Sequence, residues 1–429
     1  MAKIRRLFSG YLGCFIIGIV LGAASFPVAG IAQATAVGKA TAADPALVPP
    51  QVNTAPLPYY DYDRLDFGMT IGIAETLKGR IWACWVAGGD NDDAFFVLAT
   101  SDDRGKTWSR PRVVVDPHDA GLSQKRRSIV GNLWRDPRGR LWLFFDQSMT
   151  YFDGRAGEWY SICENPDSDH PQWSAPKRIW NGCSLNKPLV LGDGTWLLPV
   201  SLWDRSKITD EYKDRYHDLD SLRGANVLAS TDEGKTWQWR GHVSFPRPDF
   251  DEHSFIELTD GTIWMTARTK KGIWESFSRD KGRSWTAPRP SSIQNINARH
   301  FIRRLQSGHI LLVKNGMHID QRPKTRSELT AYISEDDGKT WKGGLVLDER
   351  RGVSYPDGFQ DAGGMIYISY DHNRSTEGEV LMARFREKDV LEGKFVTRRS
   401  GTKMLISRPL GLDKLPPPSQ AVYRDRDGK

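Results

Sequence analysis

From Tyr59 onward the chain is a series of short apolar runs bounded by Gly, Pro, Asp and Asn, with almost no amphipathic-helix periodicity. That pattern predicts an all-β protein. Six runs share a finer arrangement, a polar turn ending in Gly followed by an apolar strand. They are Lys78-Gly79-Arg80-Ile81-Trp82, Arg138-Gly139-Arg140-Leu141-Trp142, Asp193-Gly194-Thr195-Trp196-Leu197, Asp260-Gly261-Thr262-Ile263-Trp264, Ser307-Gly308-His309-Ile310-Leu311 and Gly363-Gly364-Met365-Ile366-Tyr367. Each reads as the hairpin joining the first two strands of a unit. Six hairpins predict a six-bladed β-propeller of four-stranded antiparallel blades.

A second motif recurs four times: Ser101-x-Asp103-x-Gly105-x-Thr107-Trp108, then again from Ser230 to Trp237, Ser278 to Trp285 and Ser334 to Trp341. Each copy follows a strand-like run and reads as a turn. The Asp can accept backbone N–H bonds, the Gly can take a positive φ and the Trp can pack inward. The copies fall late in blades one, three, four and five. Blade two carries a degraded version ending in Gln172-Trp173, and blade six has no recognisable copy.

The first strand of each propeller blade lines the axis, with its N-terminal end at the mouth. Nine positions before the six hairpin glycines stand Thr70, Val130, Leu185, Glu252, Arg299 and Tyr355. Three of these can do chemistry and all three lie in the second half, as expected of a site grafted onto a symmetric scaffold. A phenol beside a carboxylate can be a nucleophile with its base, or a packing aromatic with a hydrogen-bond partner.

The four boxes resemble the Asp-box of the sialidase superfamily, a group of glycoside hydrolases, and the stretch from about 66 to 390 is similar to that superfamily. Asp251-Glu252-His253, with Glu257 five positions after Glu252, resembles the segment that carries its catalytic Glu. Val353-Ser354-Tyr355-Pro356-Asp357 resembles its nucleophile segment. Arg268 and Arg326 fall where it supplies arginines for a substrate carboxylate. The resemblance implies an exported, retaining exo-glycosidase that removes a terminal, anionic sugar, with Tyr355 as nucleophile and Glu252 as its base; sialidases are Tyr-nucleophile exceptions among glycosidases. It places the acid/base Asp in the loop Gly88-Gly89-Asp90-Asn91-Asp92-Asp93. Asp90 is the candidate by its distance from Ser101, with Asp92 and Asp93 as alternatives. No metal or organic cofactor is implied.

One element departs from the pattern. The superfamily opens blade one with an Arg followed by Ile-Pro, and the equivalent slot here is Met69 or Thr70, without an Arg. Arg299 and Arg303, on one face by strand alternation, are candidates to compensate, whereas Arg304 is expected to point away. Arg126 and Arg127 are further candidates. Lys187 and Asp357 are expected near the substrate, and Tyr370, Asp371 and Arg374 are weaker candidates to shape the site. His253 is expected to face the neighbouring blade in a structural role. The missing arginine leaves uronic, ulosonic and sulfated sugars or rhamnose open as substrates. A polysaccharide lyase and a non-catalytic glycan-binding propeller are the alternative functions.

Composition narrows the partners. The formal net charge is +7, and Lys3, Arg5 and Arg6 sit in residues 1–34 without acids, so about +4 remains on the rest of the chain. No dense Lys/Arg run is present, which argues against nucleic acid and fits a glycan or polysaccharide partner. The basic start, the apolar stretch from Leu7 to about Ile31 and Ala32-Gln33-Ala34 read as a secretory signal over 1–34, cleaved near Ala34, which predicts a secreted or periplasmic protein with no stable membrane span. An Ala/Pro-rich linker is expected over 35–57, the propeller over 58–415 and a polar tail over 416–429. Three cysteines follow the signal; Cys163 and Cys183 can bridge, or all three are buried thiols.

Overall fold

The computed structural model describes residues 44–61 and 65–409. The expected signal and the polar tail lie outside them. Six antiparallel sheets form the six blades of a propeller, as the hairpin count predicts. The inner strands are Met69–Glu75, Gly131–Arg135, Leu189–Val190, Pro248–Glu257, Phe301–Arg304 and Val353–Gln360. The six hairpin glycines take φ between 80° and 87°, a region that costs an L side chain about 1–2 kcal/mol. Within the stretch expected as a linker, Val52–Asn53 pairs with the outer strand of blade one, and Arg126 and Gln147 bind the backbone carbonyls of Pro45, Ala46 and Val48.

Every blade is built from contiguous chain, so no shared strand closes the ring. Closure combines a shared apolar cluster of blades one and six, Ile73 and Val97 with Tyr367 and Met382 among its members, with hydrogen bonds between them: Thr70 N to Asp371 Oδ2 at 3.2 Å, Ile73 N to Asp357 Oδ2 at 2.9 Å and Gly68 N to Arg374 O at 3.2 Å. The axis itself is plugged. Buried Arg299 donates to Asn186 Oδ1, to the Ile71 and Leu185 carbonyls and to Asp357 Oδ1. Lys187 pairs with Asp357, and Asn186 binds the carbonyls of Glu252 and His253.

The four boxes share one geometry. In each, the Gly N–H donates to the first Ser Oγ at 2.8 Å, and the Thr or Ser N–H donates to Asp Oδ1 at 2.8–2.9 Å. The box glycine then faces the preceding blade: Gly105 meets Met382, Gly234 meets Trp142, Gly282 meets Val227 and Gly338 meets Trp264. The boxes are thus spacers between blades. Where the box is degraded in blade two, the Pro166 carbonyl accepts from Trp82 Nε1 at 3.1 Å and Trp173 packs edge-on against Trp82. Blade six substitutes a short helix, Glu387–Glu392, packed on blade five. Its Asp389 accepts the Val396 and Thr397 N–H groups.

Cys84, Cys163 and Cys183 are free and buried, so Cys163 and Cys183 are not bridged. Burial pushes all three thiols up, Cys163 to about 11. Among the described residues, no helix is long and apolar enough to cross a membrane.

A matched pair of substitutions separates backbone strain from packing. Gly261 and Gly338 have φ of 80° and 81°. A Cβ on Gly261 would meet nothing within 4 Å, whereas one on Gly338 would lie 2.5 Å from the Trp264 ring. Gly261→Ala is expected to cost about 1 kcal/mol in urea unfolding, and Gly338→Ala about 1–3 kcal/mol more. Equal losses would contradict the spacer role.

Candidate active site

Glu252 and Tyr355 reach the mouth from strained backbone. Phe250, Asp251 and Glu252 have φ of 72°, 57° and 43°, where the pairing of blade four's inner strand skips from Pro248↔Thr269 to Asp251↔Arg268 to Ser254↔Thr266. Tyr355 has φ of 55°, where blade six skips from Ser354↔Asp371 to Asp357↔Ser369. Bulges re-aim side chains, and strain of this kind collects at functional sites. Here the two bulges turn the side chains toward each other. Tyr355 Oη donates to Glu252 Oε1 at 2.6 Å, with both groups buried.

Three guanidiniums surround this pair. Arg268 Nη1 donates to Glu252 Oε1 at 2.8 Å and to Tyr355 Oη at 3.1 Å. Its Nε reaches Asn297 Oδ1 at 2.7 Å and its Nη2 reaches Asp249 Oδ2 at 3.3 Å. Arg326 donates to the Asn297 carbonyl at 3.0 Å and lies 5.8 Å from the centre of the Tyr355 ring. Arg374 covers the same ring at 3.9 Å, held by Asp371 Oδ1 at 3.2 Å and Ser354 Oγ at 3.0 Å.

Electrostatics follow from burial and these contacts. Burial, then the Glu252 carboxylate, pushes the Tyr355 phenol above its ordinary value, while the three guanidiniums pull it down. The resting group is a neutral phenol. Burial works against the charge of Arg268, yet Glu252, Tyr355 and Asp249 overcome it and its pKa is raised. Asp371, Tyr355 and Asp90 do the same for Arg374. Burial lowers Arg326, whose neighbours include the other two arginines.

Arg374 also reaches blade one. Its Nη1 lies 3.0 Å from Met69 Sδ and 3.6 Å from Asp90 Oδ2. A blade-six guanidinium therefore lies against Met69, one of the two blade-one positions where the superfamily pattern has an Arg.

A small cleft lies above these groups. Each blade gives it one residue from the end of its second strand or the connection to its third: Asp90, Tyr151, Trp203, Arg268, Arg326 and Arg374. Of the three acids in the blade-one loop, Asp90 alone lines the cleft. Asp93 is ion-paired with Lys125, and the Asp92 carbonyl contacts His118 Nε2 at 3.0 Å. Trp203 packs against Phe250 at 4.9 Å and Tyr151 at 5.9 Å, forming an aromatic wall. Tyr151, Trp203 and Phe250 carry no signal as isolated aromatics. Their common position after the second strand is the signal that finds Tyr151 and Trp203, and it finds Arg374 as well.

Other expected residues stand elsewhere. Arg299, Lys187 and Asp357 form the axial plug beneath the phenol and have no free face toward the cleft. Arg303 lines a cavity at the opposite end of the axis. Arg304 points away, as alternation predicts, onto Asp337 and the Glu257 carbonyl. Arg126 and Arg127 are buried in structural contacts, Arg127 with Asp146 and the Tyr151 carbonyl. Neither lines the cleft. Tyr370 is turned away toward Asp348. His253 faces blade three, contacting the Asn226 carbonyl at 2.8 Å, in the structural role expected of it.

Comparison with known proteins agrees with this fold. The model of the BNR repeat-like domain matches residues 79–368, well over half of the chain, and the chain belongs to that family. The Asp-box resemblance to the sialidase superfamily thus holds. A curated sialidase of Bacteroides fragilis is 22% identical over 294 residues, which cover 60% of this chain and 50% of the relative. The chain therefore spans half the length of that relative. Among solved structures, a Hadza microbial sialidase superposes with a TM-score of 0.57 at 16% identity, covering 77% of this chain and 67% of that one. The intramolecular trans-sialidase of Ruminococcus gnavus, solved with oseltamivir carboxylate, gives 0.58 at 13% identity, covering 78% and 97%.

Beside Glu252, Asp251 is buried with neither carboxylate oxygen hydrogen-bonded among the described residues. Burial, then Asp204, Glu252 and Asp249, pushes its carboxyl up to about 8. Between about pH 4 and pH 8 the unfolded chain ionises this acid and the folded chain does not. Its contribution to stability is present at low pH and lost as pH rises, by at most ~1.4 kcal/mol per pH unit. The stability of Asp251→Asn relative to wild type should therefore increase from pH 5 to pH 8 in urea unfolding. A difference that is the same at both pH values contradicts a protonated Asp251.

Proposed function

We propose that the protein is a retaining exo-glycosidase that removes a terminal anionic sugar, sialic acid or a related acidic sugar, from glycans. The observation that carries this reading is the 2.6 Å hydrogen bond from Tyr355 to Glu252 beneath three guanidiniums. A phenol packed under that much positive charge has no need of a carboxylate partner for stability alone, whereas a nucleophile needs both a base and charge stabilisation. A neutral phenol also suits a substrate with an anion near its reacting carbon, which would repel a carboxylate nucleophile.

In the proposed reaction Glu252 takes the Tyr355 proton as the phenolic oxygen bonds to the anomeric carbon. The bond to the leaving oxygen breaks, and Asp90 supplies that oxygen with a proton. Asp90 then takes a proton from water, whose oxygen replaces Tyr355 on the anomeric carbon with net retention, and Glu252 returns the proton to the phenolate. Arg326, with one hydrogen bond among the described residues, is the guanidinium most available to a substrate carboxylate, and Arg268 and Arg374 flank it. The chemistry calls for no metal or organic cofactor. The sialidase name of the curated relative supports the reading, and the basic and apolar N-terminus supports action outside the cytoplasm.

Methylumbelliferyl glycosides of sialic acid, glucuronic acid, fucose and rhamnose test it. An acidic donor should be cleaved. Tyr355→Phe should lose at least ~10³-fold in kcat with unchanged thermal stability, and Glu252→Gln ~10²–10⁴-fold. Undiminished turnover by Tyr355→Phe would overturn the assignment, as would an unsaturated, ultraviolet-absorbing product.

A further inference from the structure

The opposite end of the axis holds a second cavity, to which five of the six blades contribute. It shares no lining residue with the cleft at Tyr355. Trp134, Phe301 and Phe359 give it aromatic walls, and Arg135, Lys187 and Arg303 give it positive charge.

Two of these cations lack a hydrogen-bonded partner. Lys187 is committed to Asp357, and Arg304, also on the wall, is committed to Asp337 and the Glu257 carbonyl. Arg135 and Arg303 are half-buried, yet neither has a hydrogen bond or an ion pair among the described residues. Glu75 is the one acid on the wall; burial, then Asp361, pushes its carboxyl up, while Arg135 pulls it down. Burial likewise lowers Arg303. Arg135 feels the charge of Glu75 and Arg303 that of Asp357, but a guanidinium withdrawn from water without a hydrogen-bonded partner is costly, and two of them beside three aromatic faces make an incomplete site.

We propose that this cavity binds a small carboxylate carried on a ring, with Arg135 and Arg303 on the carboxylate and the ring against Phe301, Phe359 and Trp134. The guanidinium fork matches a carboxylate in both charge and geometry, and an aromatic wall takes the apolar face of a sugar or a benzene ring. A uronic acid and an aromatic acid share this chemistry. The proposal does not depend on the reaction assigned to Tyr355, because the two cavities are built from different residues.

Calorimetric titration of the full chain with D-glucuronate and, separately, with benzoate tests it. At least one acid should bind, at least tenfold more weakly to Arg135→Gln/Arg303→Gln and with unchanged affinity at this site to Arg326→Gln. Binding of glucuronate alone identifies a sugar acid as the ligand class, and binding of benzoate alone an aromatic acid. If both sites bind glucuronate, the double variant should lose one of two binding events and retain the other. Should the double variant not fold, Arg135→Gln alone should still weaken binding severalfold. Binding of neither acid, or an affinity indifferent to the Arg135 and Arg303 substitutions, overturns the proposal.

Discussion

Glu252 is a carboxylate held out of water, and the mouth of the propeller is organised by what that demands. A buried charge persists only if it is paired and hydrogen-bonded. Glu252 Oε1 accepts from both Arg268 and Tyr355. Arg268 in turn requires Asp249 and Asn297, and the Asn297 carbonyl holds Arg326. On the other side of the phenol, Arg374 stacks on the ring and requires Asp371. Asp371 also accepts the Thr70 N–H that helps close the ring. One chain of contacts therefore links the candidate base to the joint between the first and last blades. Glu252 Oε2, buried and without a hydrogen-bond partner among the described residues, keeps spare capacity to accept.

The backbone bears the cost of this arrangement. Three successive left-handed residues ending at Glu252, and a fourth at Tyr355, are each unfavourable by about 1–2 kcal/mol. The axial plug opposes relaxation by tying Arg299, Asn186 and Asp357 to five blades at once. The boxes work at the other end of the sheets. They follow the third strands, which run parallel to the inner strands and end on the face opposite the cleft. Their contribution to the site is indirect, through the spacing of the blades that carry it.

Much of this was legible in the sequence, for a physical reason. A hairpin glycine at positive φ cannot be replaced without strain, so the six glycines mark the blades, and counting back from them reaches Glu252 and Tyr355. The same count misplaces Arg299. Blades four and six carry bulges before their hairpins, whereas the blade-five inner strand pairs in unbroken register from Phe301↔Val313 to Arg304↔Ile310. Equal counts therefore reach different depths, and Arg299 sits in the plug. Arg374 was only a weak candidate because compensation was sought from Arg299, Arg303, Arg126 and Arg127, on or before inner strands, whereas Arg374 follows the second strand of blade six. Lys187 and Asp357 belong to a ring of axial contacts that no single strand reveals.

The central claim is that the Tyr355 oxygen becomes bonded to the sugar. A fluorinated acidic-sugar donor with a good leaving group, chosen so that the intermediate breaks down slowly, should leave one sugar on the enzyme. Peptide mass spectrometry should then locate it on Tyr355. An adduct on Glu252 or Asp90 would contradict the account, as would turnover that leaves no adduct and releases the inverted sugar.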